Sequence, residues 1–322
     1  MRTPTSIVTS LLALVLAFPV FAQEGGSTSV LWRDRGDVAA LNLLDGPGGP
    51  AHAPGTNFKF IEESKSGTAP KFDVEDENGA KWKVKLGPEV MSETAATRLV
   101  WAAGYFTDDD YYRPQIQVQG MKRLSRGNQY ISEGGVIRGV RLERQGGGKK
   151  LKEWSWYETR IDGMREFNGL KVMMALINNW DLKEANNAVY DAGADGQRYV
   201  ISDLGASFGR TGYPLVRSKG VMKDYVETSF VKKVTPAHVD FVMYSRPFIL
   251  TIFHFPNYIL RTRMESIPKN IPIADARWLG NLLGRYSSTQ IGDCFRAAGF
   301  SPVEVEGYTK AVMLRIDALK KL

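Results

Sequence analysis

The chain has 322 residues, 43% of them hydrophobic and 24% charged, and a formal net charge of +7. That composition excludes global disorder and is enough for one large domain or two smaller ones with a real core. The 42 Lys and Arg are scattered, with only short runs such as Lys149-Lys150 and Lys232-Lys233, so no basic stripe for nucleic acid is expected.

Residues 1–22 read as a cleaved signal peptide. Arg2 precedes an apolar stretch from Ile7 to Val20, and Val20-Phe21-Ala22 offers a cleavage site. The expectation is an exported, periplasmic or secreted protein. Membrane association is open but not indicated. The single cysteine, Cys294, cannot form an internal disulfide, so stability must come from the core. It is expected to be a buried, inert thiol on a helix.

Residues 23–56 read as a leader and a Gly- and Pro-rich loop. Strands are expected at 57–61 and 71–74. Asn78-Gly79 then marks a hairpin turn, because this pair tolerates positive φ. From Lys81 to Leu86 the pattern alternates, with Trp82, Val84 and Leu86 on one face and Lys81, Lys83 and Lys85 on the other. A helix follows, starting at Pro88 or Ser92 and ending at Gly104. It carries Glu89 and Glu93. Two more strands are expected at 115–119 and 136–143.

Gln145 to Lys150 is a flexible break and reads as a hinge, which divides the chain into 57–145 and 146–322. Beyond it a buried helix is expected over 164–179, then short strands at 187–190 and 199–201 about the turn 193–196. Ser301-Pro302-Val303-Glu304 is a capping signature that opens a last helix. The aromatic stretch 244–259 reads as a core helix or loop, and His52, His238 and His254 show no metal-ligand spacing.

Phosphoryl transfer from a nucleotide needs a Lys for the phosphates, a carboxylate to take or orient a hydroxyl proton, and hard oxygen ligands for Mg²⁺. Asp181 and Asn186 are separated by four residues in Asp181-Leu182-Lys183-Glu184-Ala185-Asn186, and Asp203-Leu204-Gly205 follows. In this order the segments resemble the catalytic loop and metal-binding segment of the protein-kinase-like superfamily, with Leu204 in place of Phe. Trp82-Lys83-Val84-Lys85 resembles the strand that bears the phosphate-binding lysine, with Lys83 and Lys85 both on the exposed-looking face. Glu93 resembles its ion-pair partner, and Glu89 competes for that role. The chain departs from eukaryotic-type kinases in four ways. Asn179-Trp180 precedes Asp181, no G-x-G-x-x-G precedes Lys85, no A-P-E follows Asp203, and the separation of Lys85 and Glu93 is shorter than in ordinary protein kinases. It is therefore similar to divergent members such as HipA-type, phosphoinositide-kinase-like and secretory-pathway kinases.

The resemblance implies an α+β, two-lobed fold: an N-lobe antiparallel sheet with one helix and a mainly helical C-lobe. It implies ATP and Mg²⁺ as cofactors and an unidentified hydroxyl-bearing acceptor. Asp181 would be the catalytic carboxylate, and Lys85 would hold phosphates and pair with Glu93. Asn186 and Asp203 would bind metal. The segment Glu63–Thr68, with Lys65 and Gly67, would cover the phosphates. An inactive binding module, or a transferase that uses the nucleotide differently, remains open.

Overall fold

The structure is a computed structural model that describes residues 29–158, 160–193, 196–212, 216–245 and 255–322. The signal-peptide stretch, His254 and most of the aromatic stretch lie outside the described residues.

The first lobe is a closed five-stranded barrel in the order β2 (Asn57–Ser64), β3 (Lys71–Asp76), β4 (Lys81–Lys85), β7 (Val136–Arg144) and β6 (Asp110–Gln119). The β3–β4 turn forms where Asn78-Gly79 places it. Gly79 has φ +76°, and Asp76 Oδ1 accepts from the backbone N–H groups of Asn78 and Ala80, both at 2.9 Å. The alternation of β4 puts Trp82 and Val84 inside, against Phe58, Phe72, Tyr111, Ile116, Ile137 and Leu142. The expected antiparallel N-lobe sheet is present, and a parallel pairing of β2 with β6 (Asn57 opposite Gln117) closes it. β6 runs five residues further upstream than its sequence pattern, beyond Pro114. Pro114 and Gly139 (φ +62°) fall between the paired Arg113–Val140 and Gln115–Arg138, where the ladder lacks the proline N–H and the ribbon can bend.

Helix α1 (Glu89–Ala102) is buried on nearly every side, with Ala95, Ala96, Leu99 and Val100 wholly inaccessible. A helix without a polar face needs partners all round. It has the barrel on one side and α6 (Ser288–Ala297) on the other. β1 (Ser29–Val30) and β5 (Phe106–Thr107) both pair in parallel with β10 (Gln197–Ile201). The stretch expected as leader and loop is packed from residue 29 onward. Leu31, Val38 and Leu43 are buried in the core of the second lobe, and the Trp32 indole donates to Ala103 O at 2.7 Å.

The second lobe begins at β8 (Lys150–Lys152), followed by the buried α2 (Arg165–Leu176) and the antiparallel pair β9 (Asn187–Asp191) and β10 (Gln197–Ile201). A segment with little regular structure then carries β11 (Thr211–Gly212), β12 (Val216–Arg217) and α3 (Met222–Val226). A three-stranded sheet of β13 (Val231–Val234), β14 (His238–Phe241) and β15 (Ile271–Pro272) surrounds α4 (Phe255–Met264) in sequence. The end is α5 (Ile273–Leu283), α6 (Ser288–Ala297) and α7 (Pro302–Lys320). The predicted cap of α7 forms as a reciprocal box. Glu304 N donates to Ser301 Oγ at 3.4 Å, and Ser301 N donates to Glu304 Oε2 at 2.9 Å. Cys294 is buried on α6, and burial pushes its thiol up to about 12, which makes it inert. No helix among the described residues is long and apolar enough to cross a membrane.

Candidate active site

Lys85 ends β4 on the face that α1 roofs. Lys81, Lys83 and Lys85 share that face, but the solvated edge it could have been is not what forms at its end: Lys85 is 1% exposed. Its Nζ lies 2.8 Å from Glu93 Oε2, 2.8 Å from Glu89 Oε2 and 2.7 Å from Asp203 Oδ1. Glu89 and Glu93 are one turn apart on α1, so both face the same lysine. Burial works against the Lys85 ammonium, but the carboxylates of Glu93, Asp203 and Glu89 more than offset it and hold its pKa above the ordinary value.

The network continues through groups that the sequence did not single out. Arg141 on β7 binds Glu93 Oε1 at 3.3 Å, Glu143 at 2.9 Å and Asp110 at 3.5 Å. Lys219, beyond β12, pairs with the other oxygen of Glu89. Lys71 sits opposite Lys85 in the β3–β4 register. Burial lowers its pKa, and repulsion from Lys85 adds to this. Burial pushes Glu93 up to about 7, against the pull of Arg141 and Lys85.

Asp203 closes the cluster from the second lobe. It has φ +50°, a left-handed conformation that costs a non-glycine residue free energy, and it turns Oδ1 onto Lys85. Its side chain is 43% exposed, open to a ligand. Burial opposes its charge, but Lys85 holds the carboxyl down at about 2. Gly205 brings the same segment against α1: a Cβ there would lie 2.9 Å from Glu89 Cβ, and Ser92 Oγ donates to Gly205 O at 2.7 Å.

The Asp181 loop lies alongside. Trp180 N donates to Ala206 O at 3.2 Å, and Ser202 N donates to Asn186 O at 2.9 Å, so the loop flanks Asp203 on both sides. Asn186 Nδ2 donates to Asp181 O at 2.8 Å, which leaves its amide oxygen as an acceptor. The Asp181 carboxylate stands 3.0 Å from Lys183 Nζ and 3.3 Å from Arg261 Nη2 on α4. The structure therefore brings together Lys85, Glu93 and Asp203, with Asn186 and Asp181 beside them. Lys65 and Gly67 stand apart, exposed at the β2–β3 tip. The tip is tied to the barrel where Arg126 donates to Lys65 O at 3.3 Å and Ser66 O at 3.2 Å. A Cβ on Gly67 (φ +66°) would lie 3.5 Å from Lys71 Nζ, so Lys71 links the tip to the cluster.

Among the described residues, Glu89, Glu93 and Asp203 form the one group of three side chains with donor atoms close enough to share a metal ion, within 4.8 Å of one another. The three carboxylates that hold the Lys85 ammonium are an all-oxygen donor set, which fits Mg²⁺ rather than a soft metal. His52 and His238 take no part; His52 pairs with Asp109 at 2.9 Å.

No protein-family model matches the chain, and no curated protein matches it in sequence. Two kinases are among the solved structures similar to it. One is the Helicobacter pylori proinflammatory kinase CtkA, at 11% identity and TM-score 0.44 over 83% of this chain and 98% of that one. Another is the Golgi casein kinase with Mn/ADP bound, at 10% identity and TM-score 0.42 over 84% of this chain and 72% of that one.

Proposed function

We propose that the protein is an ATP- and Mg²⁺-dependent phosphotransferase of the protein-kinase-like fold, exported, and acting on a hydroxyl acceptor. The observation that carries this reading is the convergence of Lys85, Glu93 and Asp203 from β4, α1 and the segment after β10 on one buried ion cluster, with the Asp181–Asn186 loop hydrogen-bonded beside it. Residues 118 positions apart do not share a salt bridge for reasons of local structure. Asp203 and Asn186 would hold Mg²⁺, which when bound neutralises phosphate charge. Lys85 holds the phosphates, and Glu89 and Glu93 fix its ammonium in place. Asp181 accepts the acceptor's hydroxyl proton as that oxygen bonds to the γ-phosphorus and ADP leaves. Export rests on the N-terminal apolar stretch, and cell fractionation with N-terminal sequencing tests it.

The test is nucleotide binding with label transfer. Mg²⁺ and ATP together are expected to raise the melting temperature, and Asp203→Ala to abolish the rise. Label from γ-labelled ATP, but not from α-labelled ATP, is expected on acceptor. Transfer of the α label would identify a nucleotide transferase instead. Binding with neither label transferred would leave a nucleotide-binding module. No binding at all refutes the proposal.

A further inference from the structure

Any acceptor hydroxyl that reaches Asp181 meets surroundings rich in cations. Trp180, next to Asp181, has three cations around its ring among the described residues: Arg217 at 4.5 Å from the ring centre, Lys219 at 5.3 Å and Arg261 at 5.6 Å. Lys183 is a fourth cation at the carboxylate. Against these four stand, among the described residues, Asp181 itself, Glu89, which pairs with Lys219, and the buried Glu265, whose Oε1 accepts from Ser245 N beside Arg261. Two stretches of the sequence that supply these cations hold no acid, although Asp203, Asp224 and Glu265 border them. From Leu204 to Lys223 there are Arg210, Arg217, Lys219 and Lys223 and no Asp or Glu; from Phe241 to Met264 there are Arg246, Arg261 and Arg263 and again no Asp or Glu. Arg210 has its own partner in Glu227 at 3.4 Å. Like charges gathered this closely repel one another, and the indole face relieves only part of that. Arg217 is exposed while its guanidinium rests on Trp180, so the fork is held in place and remains open to solvent. A guanidinium held this way suits bidentate contact with a carboxylate or phosphate.

We infer that the acceptor carries a carboxylate or phosphate beside the hydroxyl that reacts, and that Arg217 reads this group. The inference rests on the phosphotransferase reading and names the substrate class of its site. Arg217 is a specificity residue; the proton and the phosphoryl group are handled by Asp181 and Lys85.

The experiment uses the full chain saturated with Mg²⁺ and a non-hydrolysable ATP analogue. Binding of three serine peptides that differ only in flanking Glu, Gln or Lys is measured by calorimetry, with glycerol 3-phosphate against glycerol as a second arm. At least one anionic probe is expected to bind about tenfold or more tighter than its neutral match, the scale of one charge-assisted contact. The arm that responds tells an acidic peptide from a small phosphorylated alcohol. Arg217→Gln is expected to remove the preference and leave the analogue's own affinity unchanged. In transfer assays with γ-labelled ATP it raises KM for the anionic acceptor and leaves kcat alone. Equal binding of anionic and neutral probes in both arms, or a preference that survives Arg217→Gln, overturns the inference while the analogue still binds. Failure of the analogue itself to bind is the different result that sinks the phosphotransferase reading.

Discussion

Lys85 and Asp181 are both ion-paired, yet they are held in opposite ways. Lys85 is 1% exposed among three carboxylates supplied by both lobes. The Asp181 side chain is 18% exposed, between two cations of the second lobe alone. A buried charge with several partners supports the fold as well as any ligand, because removing it leaves its partners buried and uncompensated. A carboxylate at the rim is supported more loosely, and solvent can take over part of the work of its partners. The two ends of the site should therefore respond differently to substitution: at Lys85 fold and binding fail together, whereas at Asp181 chemistry fails alone.

The hardest test of that contrast is Lys85→Met. It leaves Glu89, Glu93 and Asp203 facing one another without the cation they share. A loss of about 3–5 kcal/mol in denaturant unfolding is expected, with loss of the nucleotide-induced melting shift. A variant as stable as the wild type would show that the cluster is not structural and would break the comparison at its buried end. Asp181→Asn tests the other end. Transfer should fall about 10²–10⁴-fold, the usual contribution of a positioned acid or base, while the Mg²⁺–ATP melting shift stays at the wild-type value. Loss of nucleotide binding in this variant would mean that the two ends are one unit.

Gly205→Ala probes the seam between them. Its added methyl would press on Glu89 Cβ at 2.9 Å, a backbone-anchored neighbour that cannot swing away. A destabilisation of about 1–3 kcal/mol is expected, as for other overpacked positions. It should come with weaker nucleotide binding, because the shift displaces Glu89 from Lys85. Unchanged binding at reduced stability would separate the seam from the site.

The two ends also differed in how far the sequence disclosed them. Asp181, Asn186 and Asp203 lie close together in the chain, and their spacing about β9 and β10 is itself a pattern. The Asn78-Gly79 turn, the alternation of β4 and the Ser301 cap are likewise local, since each depends on residues within a few positions. Partners brought in from afar leave no such trace. Lys219 reaches Glu89 across 130 residues, and Arg141 sits on a strand whose pattern marks it only as outward-facing. The choice between Lys83 and Lys85 had the same origin. Both share a face by periodicity, and only the roof laid by α1 buries one of them. The packing of residues 29–56 was hidden because Leu31, Val38 and Leu43 are isolated apolar residues without a period. Upstream of Pro114, β6 was hidden because a proline marks a strand edge in most sheets and a bend in a closed barrel.

The smallest expected effect concerns acid. Lys85 holds the folded-state pKa of Asp203 at about 2, below the ordinary value of about 3.9. The unfolded chain therefore takes up a proton first as the pH falls. The stability that ionised Asp203 supplies is complete above about pH 4 and is lost as the pH drops through 2. Glu93 is displaced the other way, to about 7, so its contribution is complete below about pH 4 and is lost as the pH rises through 7. The two windows do not overlap. Denaturant midpoints measured from pH 5 to pH 2 should fall more steeply in the wild type than in Asp203→Asn, whose side chain does not titrate. Parallel curves would mean that Asp203 is not held by Lys85 in solution, and the bridge between the lobes would then be the weak point of the cluster.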